Sequence, residues 1–330
     1  MRRLRWWVLL TIWLLGCGLL PLAPAPTLPP SLTPTASIAP TAIIPPTATV
    51  TDTPAPLPSP TPFPRPTHVL IISLDGFRPD AISPDRTPNI LALAARGAYT
   101  WAAQTVLPSA TLPAHGSMLS GYEVEDHGLT WNDYLPRNGY IRVSTIFTWA
   151  HQAGLTTAML VAKQKLVQAV APGTVDYFEF LPAGDFAIAD EGVPLVQAGY
   201  GVLFIHFAGP DAAGHLYGWM SSHYLGTVAY TDQAVGRLLS VLDEAGLRDS
   251  TLVILTADHG GHDHVHGSAR PEDTTIPWIA AGPGVRQGFP ITAPVHIYDT
   301  APTAAWALGL PLPEDLDGRP VTEAFLFGNP

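Results

Sequence analysis

Three short apolar runs along the chain end in acidic or polar turns, and this pattern predicts buried parallel strands. The runs are "HVLIISLDG" (68–76), "GVLFIHFAGPD" (201–211) and "TLVILTADHG" (251–260). Each run is apolar at successive positions, as expected for strands of a parallel sheet covered by helices on both faces. Between the last two runs, apolar residues recur at helical spacing from Val228 to Leu242 and stop before Gly246, which predicts a helix.

Strand-like runs alternate with helical periodicity from residue 68 onward, and this alternation predicts one α/β domain over residues 68–330. The expected architecture is a three-layer sandwich with a mostly parallel central sheet. The chain has 330 residues and 47% hydrophobic content, which is enough apolar material to fill such a core.

The first 20 residues have a different composition and predict a secretory leader. They contain three arginines, an apolar run, and then Gly16 and the only cysteine, Cys17, in the order of an export signal. The text "LLGC" resembles the lipobox of bacterial lipoproteins, so we expect Cys17 to carry a lipid. A plain cleaved leader and an uncleaved anchor are the alternatives. All three predict an exported protein, and the first predicts a lipid anchor at the outer face of the membrane.

Residues 21–67 predict an unfolded linker. They contain 16 prolines and 10 threonines but only two charged residues, Asp52 and Arg65. Proline fixes φ and removes backbone donors, so this composition is typical of an extended, semi-rigid spacer. The net charge of the chain is −11, which argues against a nucleic-acid polymer as partner. With one cysteine in the leader, the domain forms no internal disulfide.

Polar residues follow each of the three predicted strands. Asp75, Asp211 and the pair Asp258 and His259 lie just past the carboxyl ends of these strands, at the edge where open parallel sheets bind ligands. Four histidines lie between residues 259 and 266. Turn chemistry alone could explain Asp75 or Asp211 singly. The convergence of distant segments on one edge favours a binding site.

Five motifs in order carry a resemblance to a known family. They are "LIISLDGFRPD" (70–80), "PSATLPAHGSMLSGYEVEDHG" (108–128), "GPDAAGHLYG" (209–218), "TADHGGH" (256–262) and "IPWIAAGPG" (276–284). Together they resemble the alkaline phosphatase superfamily, most closely its type I phosphodiesterase/nucleotide pyrophosphatase branch. The resemblance covers residues 68–325. It implies an alkaline phosphatase-like fold and metal-dependent hydrolysis of a small phosphate ester or nucleotide.

The resemblance also implies a site for two divalent metal ions, usually Zn²⁺. It assigns one ion to Asp75, Thr111, Asp258 and His259, and the other to Asp211, His215 and a later histidine. We choose His266 for the last position, because Gly267 and the "PED" and "IPWI" text follow it as in related sequences; His262 and His264 are the alternatives. Nitrogen and oxygen ligands without thiolate suit zinc. Two such ions can bind the attacking and leaving oxygens of an in-line displacement.

The resemblance makes Thr111 the nucleophile. Coordination to a dication lowers the pKa of a threonine hydroxyl enough to make it reactive. Pro113 suits the first turn of a helix through "AHGSMLSG", so backbone N–H groups beside Thr111 would face a phosphate. The alternative is that Thr111 is only an N-cap.

Three further residues are expected to contact the substrate. The nucleotide pyrophosphatase branch commonly has asparagine where this chain has Ala114. A monoesterase branch of the superfamily has a phosphate-contacting asparagine in a context similar to that of Asn132. The segment "VAKQKL" of this chain also resembles sequences of that branch. By this resemblance Asn132, Lys163 and Lys165 bind the phosphoryl oxygens; two solvated surface lysines are the alternative for the pair.

The expected reaction is cleavage of a diester or nucleotide ester. Hydrolysis of a phosphomonoester is the alternative within the same fold. An inactive cell-surface binding module is the alternative of another class, and it would require an incomplete set of metal ligands. Sulfatases have a C/S-x-P-x-R motif, which does not occur in this chain.

Overall fold

The computed structural model of the protein describes residues 64–326. The leader, Cys17 and most of the linker therefore lie outside the described residues. Of the predicted linker only residues 64–67 are described, and two of them hydrogen-bond to the domain: Arg65 Nη1 donates to the Trp306 carbonyl at 2.6 Å, and Thr67 N donates to the Ser250 carbonyl at 2.9 Å. Within residues 64–326, no helix combines the length and the apolar character needed to cross a bilayer.

The described residues alternate between strands and helices. The strands are β1 His68–Leu74, β2 Ala98–Gln104, β3 Thr157–Val161, β4 Tyr177–Phe180, β5 Val202–Phe207, β6 Thr251–Ala257, β7 Thr275–Ala281 and β8 Phe289–Pro290. The α-helices are α1 Pro88–Ala95, α2 Thr111–Ser120, α3 Val124–His127, α4 Ile146–Gln152, α5 Asp185–Ala198, α6 Gly209–Tyr217, α7 Ser222–Glu244, α8 Pro271–Thr274 and α9 Thr300–Leu308. The three runs predicted as strands are β1, β5 and β6, and the predicted helix is α7.

The strands form one mixed, mostly parallel sheet. Its eight strands have the order β4-β3-β5-β1-β6-β7-β2-β8. The first five are mutually parallel, whereas β7 is antiparallel to both β6 and β2. Because β3, β5, β1 and β6 are neighbours with one direction, their carboxyl ends meet at the same edge of the sheet.

Helices cover both faces of this sheet. On β5, Ile205 points toward α5 and α7, since a Cβ on Gly192 of α5 would lie 2.9 Å from Ile205 Cδ1 and 3.0 Å from Leu238 Cδ2 of α7. The neighbouring Phe204 points the other way, with its ring centroid 5.8 Å from that of His115 in α2. Successive side chains of a strand point to opposite faces. The α/β architecture predicted from the sequence is therefore confirmed, with three layers.

Candidate metal centre

Polar residues that follow four neighbouring strands lie together at one edge of the sheet. In strand order, Lys163 comes after β3, Asp211 lies at the start of α6 after β5, Asp75 follows β1, and Asp258 follows β6. The three aspartates are buried. The sheet thus brings together the three carboxylates that the sequence predicted at this edge, and it adds a lysine ammonium to them.

The turn after β1 joins three of these segments through its backbone. Gly76 has φ +68°, and a Cβ at this position would lie 2.8 Å from the Cα of Asp211. The Asp211 N–H donates to the Asp75 carbonyl at 2.9 Å, and the Gly76 N–H donates to Asp258 Oδ1 at 3.0 Å. Glycine is required here both for the left-handed conformation and for the close approach of α6.

Each of the three carboxylates keeps one oxygen without a hydrogen-bond partner. Asp75 Oδ1, Asp211 Oδ1 and Asp258 Oδ2 are buried and unpartnered, and so is His259 Nε2. His259 Nε2 lies 3.5 Å from Asp75 Oδ1 and 3.4 Å from Asp258 Oδ2. Buried polar atoms without partners are rare and costly in folded proteins. A cation is the partner that satisfies carboxylate oxygens and an imidazole nitrogen together.

Three histidines direct one ring nitrogen toward the backbone and the other toward these carboxylates. Their Nδ1 atoms each face a carbonyl oxygen, which can only accept, so Nδ1 carries the proton and Nε2 keeps its lone pair. Metal-ligating histidines are oriented by this kind of contact. The pairs are His215 with His264 O at 2.9 Å, His259 with Gly260 O at 2.7 Å, and His266 with Ser109 O at 2.9 Å.

These side chains form two groups that could each hold an ion. One group is Asp211, His215 and His266; the other is Asp75, Asp211 and His259; within each group the candidate ligand atoms lie within 4.8 Å of one another. Asp211 Oδ1 lies 3.4 Å from His215 Nε2 and 3.7 Å from His266 Nε2. Burial and, as the second cause, the electrostatic influence of His259 lower the pKa of His266 to about 4. Its imidazole is therefore neutral at pH 7, the form that binds a metal.

The two other late histidines have different contacts. His262 Nδ1 lies 2.7 Å from Asp273 Oδ1, and Asp273 Oδ2 accepts from the N–H and the hydroxyl of Ser268. His264 Nδ1 donates to the His215 carbonyl at 3.0 Å. His262 therefore helps Asp273 to close the loop that carries His266, and neither His262 nor His264 belongs to a group of candidate ligands in the described residues.

Thr111 begins helix α2 beside the carboxylates. The helix predicted around Pro113 is confirmed, but its N-cap is Ala110, so the alternative that Thr111 is the N-cap is wrong. Thr111 is buried, and its hydroxyl accepts from Lys163 Nζ at 3.3 Å. The carbonyl of Thr111 accepts from Nδ1 of the buried His115 at 2.7 Å. The threonine is thus positioned at the same edge as Asp75 and Asp211.

The remaining predicted residues lie next to Thr111. Asn132 Oδ1 accepts from the Leu112 N–H at 2.9 Å and from Lys165 Nζ at 3.2 Å. Lys163 Nζ instead lies 2.7 Å from Asp75 Oδ2 and 2.6 Å from Asp211 Oδ2, and its side chain is 19% exposed. Lys163 is therefore not a solvated surface lysine. Burial alone would lower the pKa of Lys163, but the two carboxylates outweigh it and raise that pKa.

The carboxylates differ in their electrostatic balance. Burial alone would raise the pKa of Asp75, but the Lys163 ammonium and a hydrogen bond from His206 outweigh it and lower that pKa. Burial raises the pKa of Asp258, and the neighbouring Asp75 carboxylate raises it further. Without an added cation the site therefore has one lysine for three buried carboxyl groups.

Sequence reasoning missed His206. The Ala162 N–H donates to His206 Nδ1 at 3.3 Å, so Nε2 carries the proton and donates to Asp75 Oδ2 at 2.9 Å. The only sequence signal is a single histidine inside the apolar run "VLFIHF". A buried polar residue in the middle of a core strand is unusual, because it needs a partner.

Comparison with known proteins identifies a family for this chain. Residues 69–273 match the family described as type I phosphodiesterase / nucleotide pyrophosphatase. Among curated proteins, the chain is 26% identical over 213 residues to bis(5'-adenosyl)-triphosphatase enpp4 of Xenopus laevis, covering 58% of this chain and 46% of that protein. It is also 26% identical over 229 residues to 2,3-bisphosphoglycerate-independent phosphoglycerate mutase of Synechococcus elongatus, covering 66% and 41%. The chain thus spans less than half the length of these relatives.

Solved structures show the same fold. Human ectonucleotide pyrophosphatase/phosphodiesterase 5 superposes with a TM-score of 0.67 at 16% identity, covering 79% of this chain and 100% of that one. An inactive variant of the murine protein in complex with AMP superposes with a TM-score of 0.66 at 16% identity, covering 76% and 97%. A 2-O glycosaminoglycan sulfatase reaches 0.64 at 17% identity, covering 79% and 74%. The protein therefore has the alkaline phosphatase-like fold predicted for it.

Proposed function

The chain belongs to the type I phosphodiesterase/nucleotide pyrophosphatase family, and from this membership we propose that it hydrolyses phosphoric esters at a two-metal centre. The observation that carries the proposal is the set of buried atoms without partners, Asp75 Oδ1, Asp211 Oδ1, Asp258 Oδ2 and His259 Nε2. These atoms come from three different strand ends and face a common space. An inactive binding module would have no need to maintain such a costly arrangement.

Seven residues would hold the ions. We assign one ion to Asp75, Thr111, Asp258 and His259 and the other to Asp211, His215 and His266. The donor atoms are oxygens and nitrogens only, without sulfur, and this set suits Zn²⁺. When bound, two such ions lower the pKa of a coordinated hydroxyl and neutralise charge on the phosphoryl oxygens. The contacts of the three histidine Nδ1 atoms with backbone carbonyls support this assignment, because they leave each Nε2 available.

Thr111 is the proposed nucleophile. Its oxygen would attack the phosphorus of the substrate and displace the alcohol or nucleotide leaving group, and its phosphorylated or nucleotidylated form would then be hydrolysed by water. The buried His115 fixes the first turn of α2 by donating to the Thr111 carbonyl. This turn also presents backbone N–H groups at the start of a ten-residue helix, a favourable place for a phosphate.

Asn132 and Lys165 are the proposed contacts to the substrate. They bind each other at 3.2 Å, and Asn132 bonds the residue after Thr111, so both are within reach of a phosphoryl group on the threonine. The substrate class is a small phosphate ester or nucleotide ester. Since these residues are also the feature shared with a monoesterase branch, phosphomonoester hydrolysis is the second candidate.

Matched aryl esters test the reaction. We expect kcat/KM for bis-p-nitrophenyl phosphate and for a p-nitrophenyl nucleotide ester to exceed that for p-nitrophenyl phosphate, because the chain matches the phosphodiesterase/nucleotide pyrophosphatase family. A monoesterase would gain more from cationic contacts beyond the two metals, such as Lys165. A clear preference for the monoester would establish the second candidate instead. If none of the three esters is hydrolysed with Zn²⁺ present, the result would favour the binding module.

Export and attachment to the outer face of the membrane complete the proposal. Its support is the leader with Cys17 and the proline- and threonine-rich linker in the sequence. A lipid on Cys17 would place the catalytic domain at the cell surface at the end of an extended tether.

A further inference from the structure

Lys163 makes contacts that a substrate-binding lysine does not need. Its ammonium lies 2.7 Å from Asp75 Oδ2 and 2.6 Å from Asp211 Oδ2, two residues that the proposed assignment gives to different ions. It also donates to the Thr111 hydroxyl at 3.3 Å. One side chain therefore touches both halves of the centre and the residue proposed as nucleophile.

The lysine and the three candidate metal-binding histidines lie against different oxygens of the two aspartates. Lys163 takes Oδ2 of Asp75 and Oδ2 of Asp211. The Oδ1 atoms of both aspartates have no hydrogen-bond partner and face imidazole Nε2 atoms at 3.4 to 3.7 Å. The ammonium thus leaves the candidate metal-facing oxygens of the two aspartates untouched, so it can stay in place when ions bind to them.

The position of Lys163 is set by the fold. Strand β3 ends at Val161, next to β5 in the sheet, and the Ala162 N–H donates to His206 Nδ1. The same ring donates through Nε2 to Asp75 Oδ2, the atom that Lys163 also contacts. Two donors therefore occupy Asp75 Oδ2. Lys163 is placed there by the register of β3 with β5, and His206 by the register of β5 with β1.

We propose that Lys163 is a built-in bridging cation of the metal centre, which holds the Asp75 and Asp211 carboxylates together through their Oδ2 atoms rather than contacting the substrate. This inference rests on the two-metal site of the proposed function. Lys163 is a positioning residue in this role, since it acts through the two aspartates and the Thr111 hydroxyl.

Two measurable consequences follow from a fixed ammonium at this place. Without metal, Lys163 offsets the repulsion between buried carboxylates, so its removal leaves buried charges uncompensated. With metal, the ammonium adds a like charge beside the dications, so its removal strengthens their binding. A lysine that contacts only phosphoryl oxygens lies farther from the carboxylates and the ions, so its removal would have a much smaller effect on both quantities.

The test compares Lys163→Met with Lys165→Met in the full-length protein. Both variants replace an ammonium by an apolar chain of similar length, and Lys165 is the matched control because it contacts Asn132 and neither aspartate. In chelator, we expect the Tm of Lys163→Met to fall by about 10 °C relative to wild type, with a smaller difference in saturating Zn²⁺. By calorimetry, we expect its Kd for Zn²⁺ to be at least about tenfold lower than that of wild type. Lys165→Met should change both quantities much less, since its ammonium contacts neither aspartate.

Each result decides the inference separately from the proposed function. If Lys163→Met matches Lys165→Met in Tm with chelator and in Zn²⁺ affinity, the bridging role is wrong, and weaker inhibition by inorganic phosphate would then support the substrate role. If wild type binds no Zn²⁺, the two-metal proposal is wrong, and the Tm in chelator still decides whether Lys163 stabilises the carboxylates. If Lys163→Met does not fold, Lys163→Arg, which keeps the charge, should restore the wild-type Tm; a low Tm in Lys163→Arg would contradict the electrostatic account.

Discussion

Thr111→Val is expected to lower kcat for phosphodiester hydrolysis by at least about a thousandfold, the scale of losing a nucleophile. Valine keeps the branched shape of threonine but has no hydroxyl, and the only hydrogen bond to that hydroxyl from the described residues comes from Lys163. Thr111 is buried at the first position of α2, so the change alters chemistry with little change in volume. Steady-state kinetics with bis-p-nitrophenyl phosphate, together with the circular dichroism spectrum, measure both effects.

Thr111→Ser is the matched control for this variant. Serine keeps the hydroxyl at the same position, so it should retain a substantial part of the activity that valine loses. In wild type and Thr111→Ser, rapid quenching with substrate should reveal a covalent phosphoryl adduct on residue 111 by mass spectrometry. If Thr111→Val retains most of its turnover, another group is the nucleophile and the proposed mechanism is wrong.

Removing divalent ions is expected to abolish activity and to lower the Tm by at least about 10 °C. Without ions, the buried Asp75, Asp211 and Asp258 repel one another, and Lys163 compensates only part of that repulsion. Burial and the neighbouring Asp75 carboxylate both raise the pKa of Asp258, so the surroundings disfavour a further negative charge there. Differential scanning calorimetry with and without a chelator measures the stability, and ester hydrolysis in the same samples measures the activity.

Restoration by Zn²⁺ is the control for chelation. Adding the ion in excess of the chelator should return both the Tm and the activity, whereas addition of Mg²⁺, which prefers an octahedral shell of oxygens and water, should restore less. An unchanged Tm in chelator would argue that the carboxylates are satisfied without metal.

The three carboxylates were predictable because their positions follow from strand chemistry. Each lies directly after an apolar run, and the carboxyl ends of parallel strands meet at one edge. The apolar run and the polar turn after it can both be recognised from local sequence, without knowledge of distant residues. The helix that carries Thr111 was predictable for a similar reason, since Pro113 marks its first turn.

The position of Lys163 was not predictable from the sequence. It depends on the order β3-β5-β1-β6, and this order arises from crossover connections that local periodicity does not encode. A motif resemblance suggested that Lys163 contacts phosphate. The short distances from its ammonium to Asp75 and Asp211 arise from the order of strands in the folded sheet, which the motif does not encode.

The histidine loop shows the same limit. His262, His264 and His266 are alike in composition and spacing, so their own pattern does not rank them, and the choice of His266 depended on the text that follows it. Their difference comes from Asp273, which bonds His262 and Ser268 and closes the loop so that His266 faces Asp211. His206 was invisible for a related reason, because its partner Asp75 is distant in sequence and adjacent only through the pairing of β5 with β1.

The divalent metal content of the purified full-length protein tests the central claim most directly. We expect two equivalents in wild type and two in His264→Ala, because the His264 ring bonds the His215 carbonyl and is not among the candidate ligands of the described residues. The His264 carbonyl, which accepts from His215 Nδ1, remains in the alanine variant. His266→Ala should lose one equivalent, since His266 Nε2 belongs to the group with Asp211 and His215. Wild-type protein without bound metal after purification in Zn²⁺, or equal metal content in all three proteins, would contradict the account.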